Sequence, residues 1–267
     1  MSNQRNHNLI IGRAITIFMI SLIVIGFSWT PFDPNAYDAA AKMQGPSLRH
    51  LLGTDNFGRD IFSRVLEGAG TTLIISAATV AIGVIAGILI GGFTGYFGGW
   101  IDEVLMRISD VVAAFPSFLL ALVLLSLIGS GTYNVIAALG LLFIPSFARI
   151  VRGEFARQKQ LDYVKSARLM GAGHLRIMFV HILPNVWPVL LSSMAIGFNN
   201  AVLAEASMSF LGIGVTPPDA SLGRMLSESQ SYMFSAPWYA LSAGFAIVLL
   251  ILGFSLMGEG LGADRNA

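Results

Sequence analysis

Glu205 is a carboxylate inside the stretch NNAVLAEASMSFLG, residues 199–212, where no other charged residue stands nearby. An acid among apolar residues is costly unless it is hydrogen-bonded or faces water. Two readings stand open. Glu205, with Asn199, Asn200 and Met208, lines a polar pathway, or it is bonded to a neighbouring helix or loop near one edge of the apolar layer. Residues for bond-breaking chemistry are missing elsewhere. There is no Ser-His-Asp set and no phosphate-binding glycine loop, and His7, His50, His174 and His181 are scattered without ligand spacing. Cysteine is absent, which excludes disulfides and thiolate metal sites. No metal site and no catalytic residue is expected.

The elements that hold Glu205 follow from composition. Of 267 residues, 55% are hydrophobic and 12% charged, and the mean hydropathy is +0.72. Soluble domains carry roughly 25% charged residues. The expected class is an all-α polytopic membrane protein. A net charge of +1 gives no electrostatic footprint for a nucleic acid. Charge-free stretches long enough to cross a bilayer predict six spans, at about 9–29, 71–93, 111–128, 135–150, 186–211 and 237–257. The first has a basic start and no small-residue cleavage site, and is expected to be a retained anchor.

Six spans place both termini on one side. That side then holds Arg5, Arg13, Arg107, Arg149, Arg152, Arg157, Lys159, Lys165, Arg168, Arg176 and Arg265, against Lys42, Arg49, Arg59, Arg64 and Arg224 opposite. The excess predicts cytoplasmic termini. Residues 1–67 are expected to be an anchor span with an extracytoplasmic segment, and 68–267 the membrane core with a cytoplasmic loop at 151–185. Gly83, Gly87, Gly91, Gly95 and Gly99 recur every four residues and predict a face for close helix packing. Arg59, Asp60, Arg64 and Glu67 fall at helical spacing and predict a surface ion-pair ladder over an interfacial helix.

The loop contains DYVKSARLMGAGHLRIMFVHILPN, residues 162–185. Asp162 suits an N-cap, 163–170 a short helix, and Gly171 the residue after its end. A second helix follows, and Pro184 marks the start of the fifth span. Val164, Ala167, Leu169, Met170, Leu175, Ile177, Met178 and Phe179 are too apolar for a solvated linker. They need cover from neighbouring helices or from another protein.

This segment resembles the cytoplasmic EAA loop of bacterial ABC importer permeases, with Gly171, Leu183 and Pro184 at the matching positions. LGTDNFGRDIFSR, MSFLGIGVTPP and a later APW are similar to the C-type permease of the dipeptide, oligopeptide and nickel family. Lys165-Ser166-Ala167 replaces the Glu-Ala-Ala of the pattern, which removes the glutamate that would close a capping box with Asp162.

The resemblance implies a type I importer fold in the bacterial inner membrane. It implies a paralogous second permease, two ATPase subunits that bind ATP and Mg²⁺, and an extracytoplasmic binding protein. This chain would bind no cofactor and hydrolyse nothing. Asp162, Lys165, Ser166, Ala167, Gly171, Leu183 and Pro184 would couple it to the ATPases. Peptides are the expected substrate, with nickel or a metal chelate as the alternative, to which Met194, Met208, Met225 and Met233 add a hint. A more remote alternative is an ion-coupled secondary transporter, which would carry internal repeats and several intramembrane charges.

Overall fold

A computed structural model of the chain describes residues 2–263, and side chains for 9–260. Arg5, His7 and Arg265 lie outside the described side chains. The regular elements among the described residues are helices. The long ones are α1 (Ser2–Ser28), α2 (Ile61–Phe97), α5 (Thr132–Gln158), α8 (Leu183–Phe210) and α10 (Pro237–Ala263). Between them lie α3 (Gly99–Ala114), α4 (Ser117–Ile128), α6 (Asp162–Leu169), the single turn α7 (His174–Arg176) and α9 (Leu222–Ser229).

Five stretches are long and apolar enough to cross a membrane, and α3 with α4 forms a pair bent by 89°. Counted as one crossing, that pair makes six and leaves both ends of the chain on one side. The uncharged run at 111–128 is therefore not the single helix expected from its composition. Phe115 is extended, at φ −87° and ψ 143°, because the ring of Pro116 disfavours the helical conformation of the residue before it. The 12 residues of α4 rise about 18 Å, short of a bilayer core of about 30 Å, so α4 alone cannot complete the crossing. On α3, Asp102 accepts from Arg152 of α5 at 2.5 and 2.6 Å.

The second span is the middle of a 37-residue helix that extends well past the apolar layer. Residues 67 and 68, the expected division between an anchor region and the core, lie inside it. The packing expected of the glycine stripe is present. A Cβ at Gly87 would meet Phe147 and Ala148, at Gly91 the backbone of Ala148 and Arg152, and at Gly95 the backbone of Arg152 and Phe155. Phe147 of α5 fits against Gly83 and Gly87 of α2 and against Gly197 of α8. Gly99 stands outside this contact, with nothing near its missing side chain.

Arg59, Asp60 and Arg64 of the expected surface ladder are buried instead, and Glu67 is half-buried. Asp60 caps α2, accepting from the Ser63 amide and hydroxyl at 2.8 Å each and lying 2.9 Å from the His50 ring. Arg64 is only 1% exposed. Arg59 donates to Asp55 at 2.6 Å and to Glu228 at 2.9 Å, and Arg64 donates to Glu228 at 3.4 Å. Arg224 and the Tyr239 hydroxyl also donate to Glu228, at 3.1 and 2.9 Å. The cause is tertiary. Residues 30–58 and α9 fold over the start of α2, and Arg59 and Arg64 reach across to Glu228 of α9, which also accepts from Tyr239 of α10. Helical spacing along α2 does not contain that information.

Burial opposes ionisation of Glu228, but the charges of Arg64 and Arg59 and the bonds from Arg224 and Tyr239 prevail, holding its carboxyl below the ordinary 4.5. Its contribution to stability is therefore complete above that value and is lost as pH falls through the lower folded value. Glu228→Gln should destabilise the outer segment by about 3 kcal/mol, because two buried guanidinium groups lose their shared anion. Hydrogen exchange across residues 30–60 should rise in the variant at neutral pH. In the wild type the same rise should appear only on acidification.

Candidate functional site

Two features stand out: the loop-side surface built on α6, and a cavity between α4, α5 and α8.

Leu161, not Asp162, is the N-cap of α6, and no side chain caps it. Asp162 is the first helical residue. Its carboxylate accepts from Lys165 at 2.9 Å, and that bond holds it below the usual carboxylate range. Position N3 then falls on buried Val164, so the capping-box expectation for residue 165 does not apply to this helix. The other end is as expected. Gly171 has φ 85°, its amide donates to the Arg168 carbonyl, and the Ala172 amide donates to that of Ala167, each at 3.0 Å. This is a Schellman closure, which needs a left-handed residue at that position.

The apolar residues of the loop divide between two duties. Val164 and Ala167 are buried against Phe155, Ile177, Met178 and Ile182. Leu169 is 89% exposed, Met170 81% and Leu175 59%. Polar contacts hold the platform to α2 and α5. The buried Tyr96 hydroxyl lies 2.9 Å from the His174 ring and accepts from Arg168 at 3.4 Å, while Tyr163 donates to Gln158 at 2.9 Å. Ser166 and Pro184 are exposed and Leu183 is half-buried.

Pro184 lies in the first turn of α8, as expected for the start of the fifth span, but no break precedes it. A π-helical turn at Ile177–Ile182 joins α7 to α8, and the Leu183 amide donates five residues back to Met178. Wider spacing of the bonds there accommodates a proline without an N–H. Helix α8 is thus mechanically continuous with the loop platform.

The cavity has a volume of about 410 Å³ and is lined by Ser117, Ser146, Ser193 and Asn200 among apolar residues that include Phe143, Phe147, Ile196 and Leu203. Of the four residues expected on a pathway, Asn200 alone reaches it. Asn199 has a buried amide oxygen without a partner. Met208 packs with Ile75, Leu125 and Val135. Glu205 is 0% exposed and accepts from Thr72 at 2.9 Å and from Ser209 at 2.7 Å. Those hydroxyls also accept from the amides of Leu222 and Val215, at 3.3 and 3.1 Å.

Glu205 therefore ties α8 to α2 and to the 211–222 segment, and the structural reading of it prevails. Helical geometry explains the split: at about 100° per residue, Ser193 and Asn200 share a face, while Glu205 is turned about 140° from Asn200. The serines of the cavity went unremarked in the sequence, because a lone serine in an apolar helix more often bonds its own backbone. Ser193 does so, to Val189 at 2.9 Å. The four methionines that hinted at a soft metal do not converge. Met194, Met208 and Met225 belong to three separate packing clusters, and Met233 is exposed.

Residues 83–263 match the family described as the binding-protein-dependent transport system inner membrane component. The chain belongs to that family. It is 43% identical over 255 residues to the glutathione transport system permease protein GsiD of Pectobacterium atrosepticum, covering 93% of this chain and 84% of that one. It is 36% identical over 258 residues to the dipeptide transport system permease protein DppC of Alkalihalophilus pseudofirmus, covering 97% and 85%. The inward-facing MetNI methionine ABC transporter superposes with a TM-score of 0.60 at 18% identity, over 76% of this chain and 94% of that one. The protein is a multi-pass inner-membrane ABC permease subunit with the type I importer fold, and the secondary-transporter alternative falls.

Two substitutions test these assignments. Gly171→Val should raise hydrogen exchange across residues 162–172 and leave the spans unchanged, since a left-handed backbone costs an L-residue about 1–2 kcal/mol, and a β-branched one more. Nothing lies within 4 Å of the added Cβ, so the cost is conformational and not steric. Glu205→Leu should lower the melting temperature in detergent, because two buried hydroxyls lose their acceptor at about 1–3 kcal/mol each, whereas Glu205→Gln should lose far less.

Proposed function

We propose that this chain is one of two non-identical permease subunits of an ATP-driven importer of di- and oligopeptides. The second subunit is a paralogue and closes the open side of the cavity. Two ATPase subunits, which bind the ATP and Mg²⁺, dock on the loop at 151–185, and an extracytoplasmic binding protein delivers the peptide at the opposite face. Both termini and the loop are cytoplasmic. The chain itself binds no cofactor and performs no hydrolysis.

One observation carries the docking role. Helix α6 is held rigidly from within by Val164 and Ala167, yet presents Leu169 and Met170 almost wholly exposed. Apolar side chains that a folded platform holds in the open are suited to a pocket in a partner. Asp162, Lys165 and Ser166 would form the polar rim of that contact, and Ala167 and Gly171 its support. Leu183 and Pro184 would pass the motion into α8 through the π-helical turn. Closure of the ATPases then shifts the permease between two states through differential contacts at this surface. The named transport roles of the two relatives, together with the separation of the methionines, support peptides over nickel.

Co-purification with the products of the neighbouring transporter genes should yield one copy of this chain, one paralogue and two ATPases. Peptide-loaded binding protein should stimulate hydrolysis in proteoliposomes, and Leu169→Asp with Met170→Asp should abolish ATPase retention or that stimulation. A transport-competent homodimer would refute the pairing. Unchanged coupling in the double variant would remove α6 from the mechanism.

A further inference from the structure

The cavity between α4, α5 and α8 carries an inference that rests on the peptide reading and extends it to selectivity. Its polar groups are the hydroxyls of Ser117, Ser146 and Ser193 and the amide of Asn200, and no ionisable side chain lines it. The rest of the lining is hydrocarbon and aromatic. Asn200 is exposed on that face, and neither its amide nor the Ser117 and Ser146 hydroxyls form a hydrogen bond with other described residues. An amide with two donors and an acceptor, unspent on an apolar helix, is available to a passing solute.

The absence of charge on this lining matters because of the low-dielectric walls. Beside Phe143, Phe147, Ile196 and Leu203, a fixed charge would act on a charged solute far more strongly than it would in water. One sign of substrate would be retained and the other excluded. Neutral donors and acceptors bind the repeating N–H and C=O groups that every peptide carries, whatever its side chains. A volume of about 410 Å³ on one subunit's wall lies in the range of small-molecule sites.

We infer that Asn200, flanked by Ser146 and Ser193, is a peptide-backbone contact that leaves the pathway indifferent to the substrate's net charge. Asn200 acts here as a specificity residue by being neutral.

The test uses the complete complex in proteoliposomes with saturating binding protein and three probes: alanyl-alanine, alanyl-lysine and alanyl-aspartate. Uptake by each variant is divided by wild-type uptake of the same peptide, which removes the binding protein's own preference. Asn200→Asp should raise the normalised ratio of alanyl-lysine to alanyl-aspartate uptake at least fivefold, and Asn200→Lys should lower it at least fivefold. Ser146→Asp should act in the same direction as Asn200→Asp. Asn200→Leu should slow all three peptides alike while binding protein still stimulates hydrolysis. Variants that depress all three peptides by one factor whatever the charge introduced, or an Asn200→Leu variant at wild-type rates, would overturn the inference. A wild-type complex that moves none of the three overturns the peptide reading itself, and this inference with it. That outcome is distinct from a wild type that moves all three and charge variants that fail to discriminate.

Discussion

Gly83, Gly87, Gly91 and Gly95 remove the side chains that would hold α2 away from α5, and the backbones of Ala148 and Arg152 come to rest against them. Apolar residues gain little from leaving lipid for a protein interior, so helices in a bilayer associate through close van der Waals fit. That fit positions everything else. Phe147, set into the glycine notch, also meets Gly197 and so fixes the spacing of α8. The same α5–α8 pair, Phe147 and Gly197 included, lines the cavity. The loop-side ends of α2 and α5 supply Tyr96 and Phe155, on which the loop platform is seated.

The chain is thereby organised as two polar ends joined by a mostly apolar middle. At the outer end, buried ion pairs around Glu228 draw residues 30–58, α9 and α10 into one unit. Charges so deeply placed are stable only as a complete set, because removing one partner strands another. At the loop end the ion pairs Arg149–Asp110, Arg152–Asp102, Arg157–Glu154 and Lys165–Asp162 are more exposed than those around Glu228, and Leu169 and Met170 stand in the open beside them. The outer end buries its charges, whereas the loop end leaves apolar Leu169 and Met170 exposed.

Glu205 is fully buried near the end of α8, and its oxygens are met by Thr72 and Ser209, whose hydroxyls in turn hold the amides of Leu222 and Val215. The carboxylate thus fixes the outer segment after α8 to α2. Asn200, five residues earlier on the same helix, faces the cavity with its amide unspent. Two polar residues in one apolar run thus have opposite surroundings, Glu205 sealed among hydrogen-bond donors and Asn200 open to the cavity.

Class, crossings, the glycine interface and the left-handed Gly171 were legible in the sequence, because each depends on local properties. Charge-free length, a spacing of four and the freedom of one residue's backbone all act within a few neighbours. The apolar character of the loop was legible for the same reason, and the structure leaves Leu169, Met170 and Leu175 of it exposed. What the linear order did not contain were contacts between distant segments. Arg59 and Arg64 read as a surface ladder until residues 30–58 and α9 closed over them. Pro116 bent a crossing that composition alone left straight, and a π-helical turn carried the chain through Pro184. Asn200 and Glu205 looked alike as polar residues in one helix. Only the placement of α2, α4 and α5 around α8 decided which was sealed and which faced open space, because burial is a property of neighbours and not of spacing.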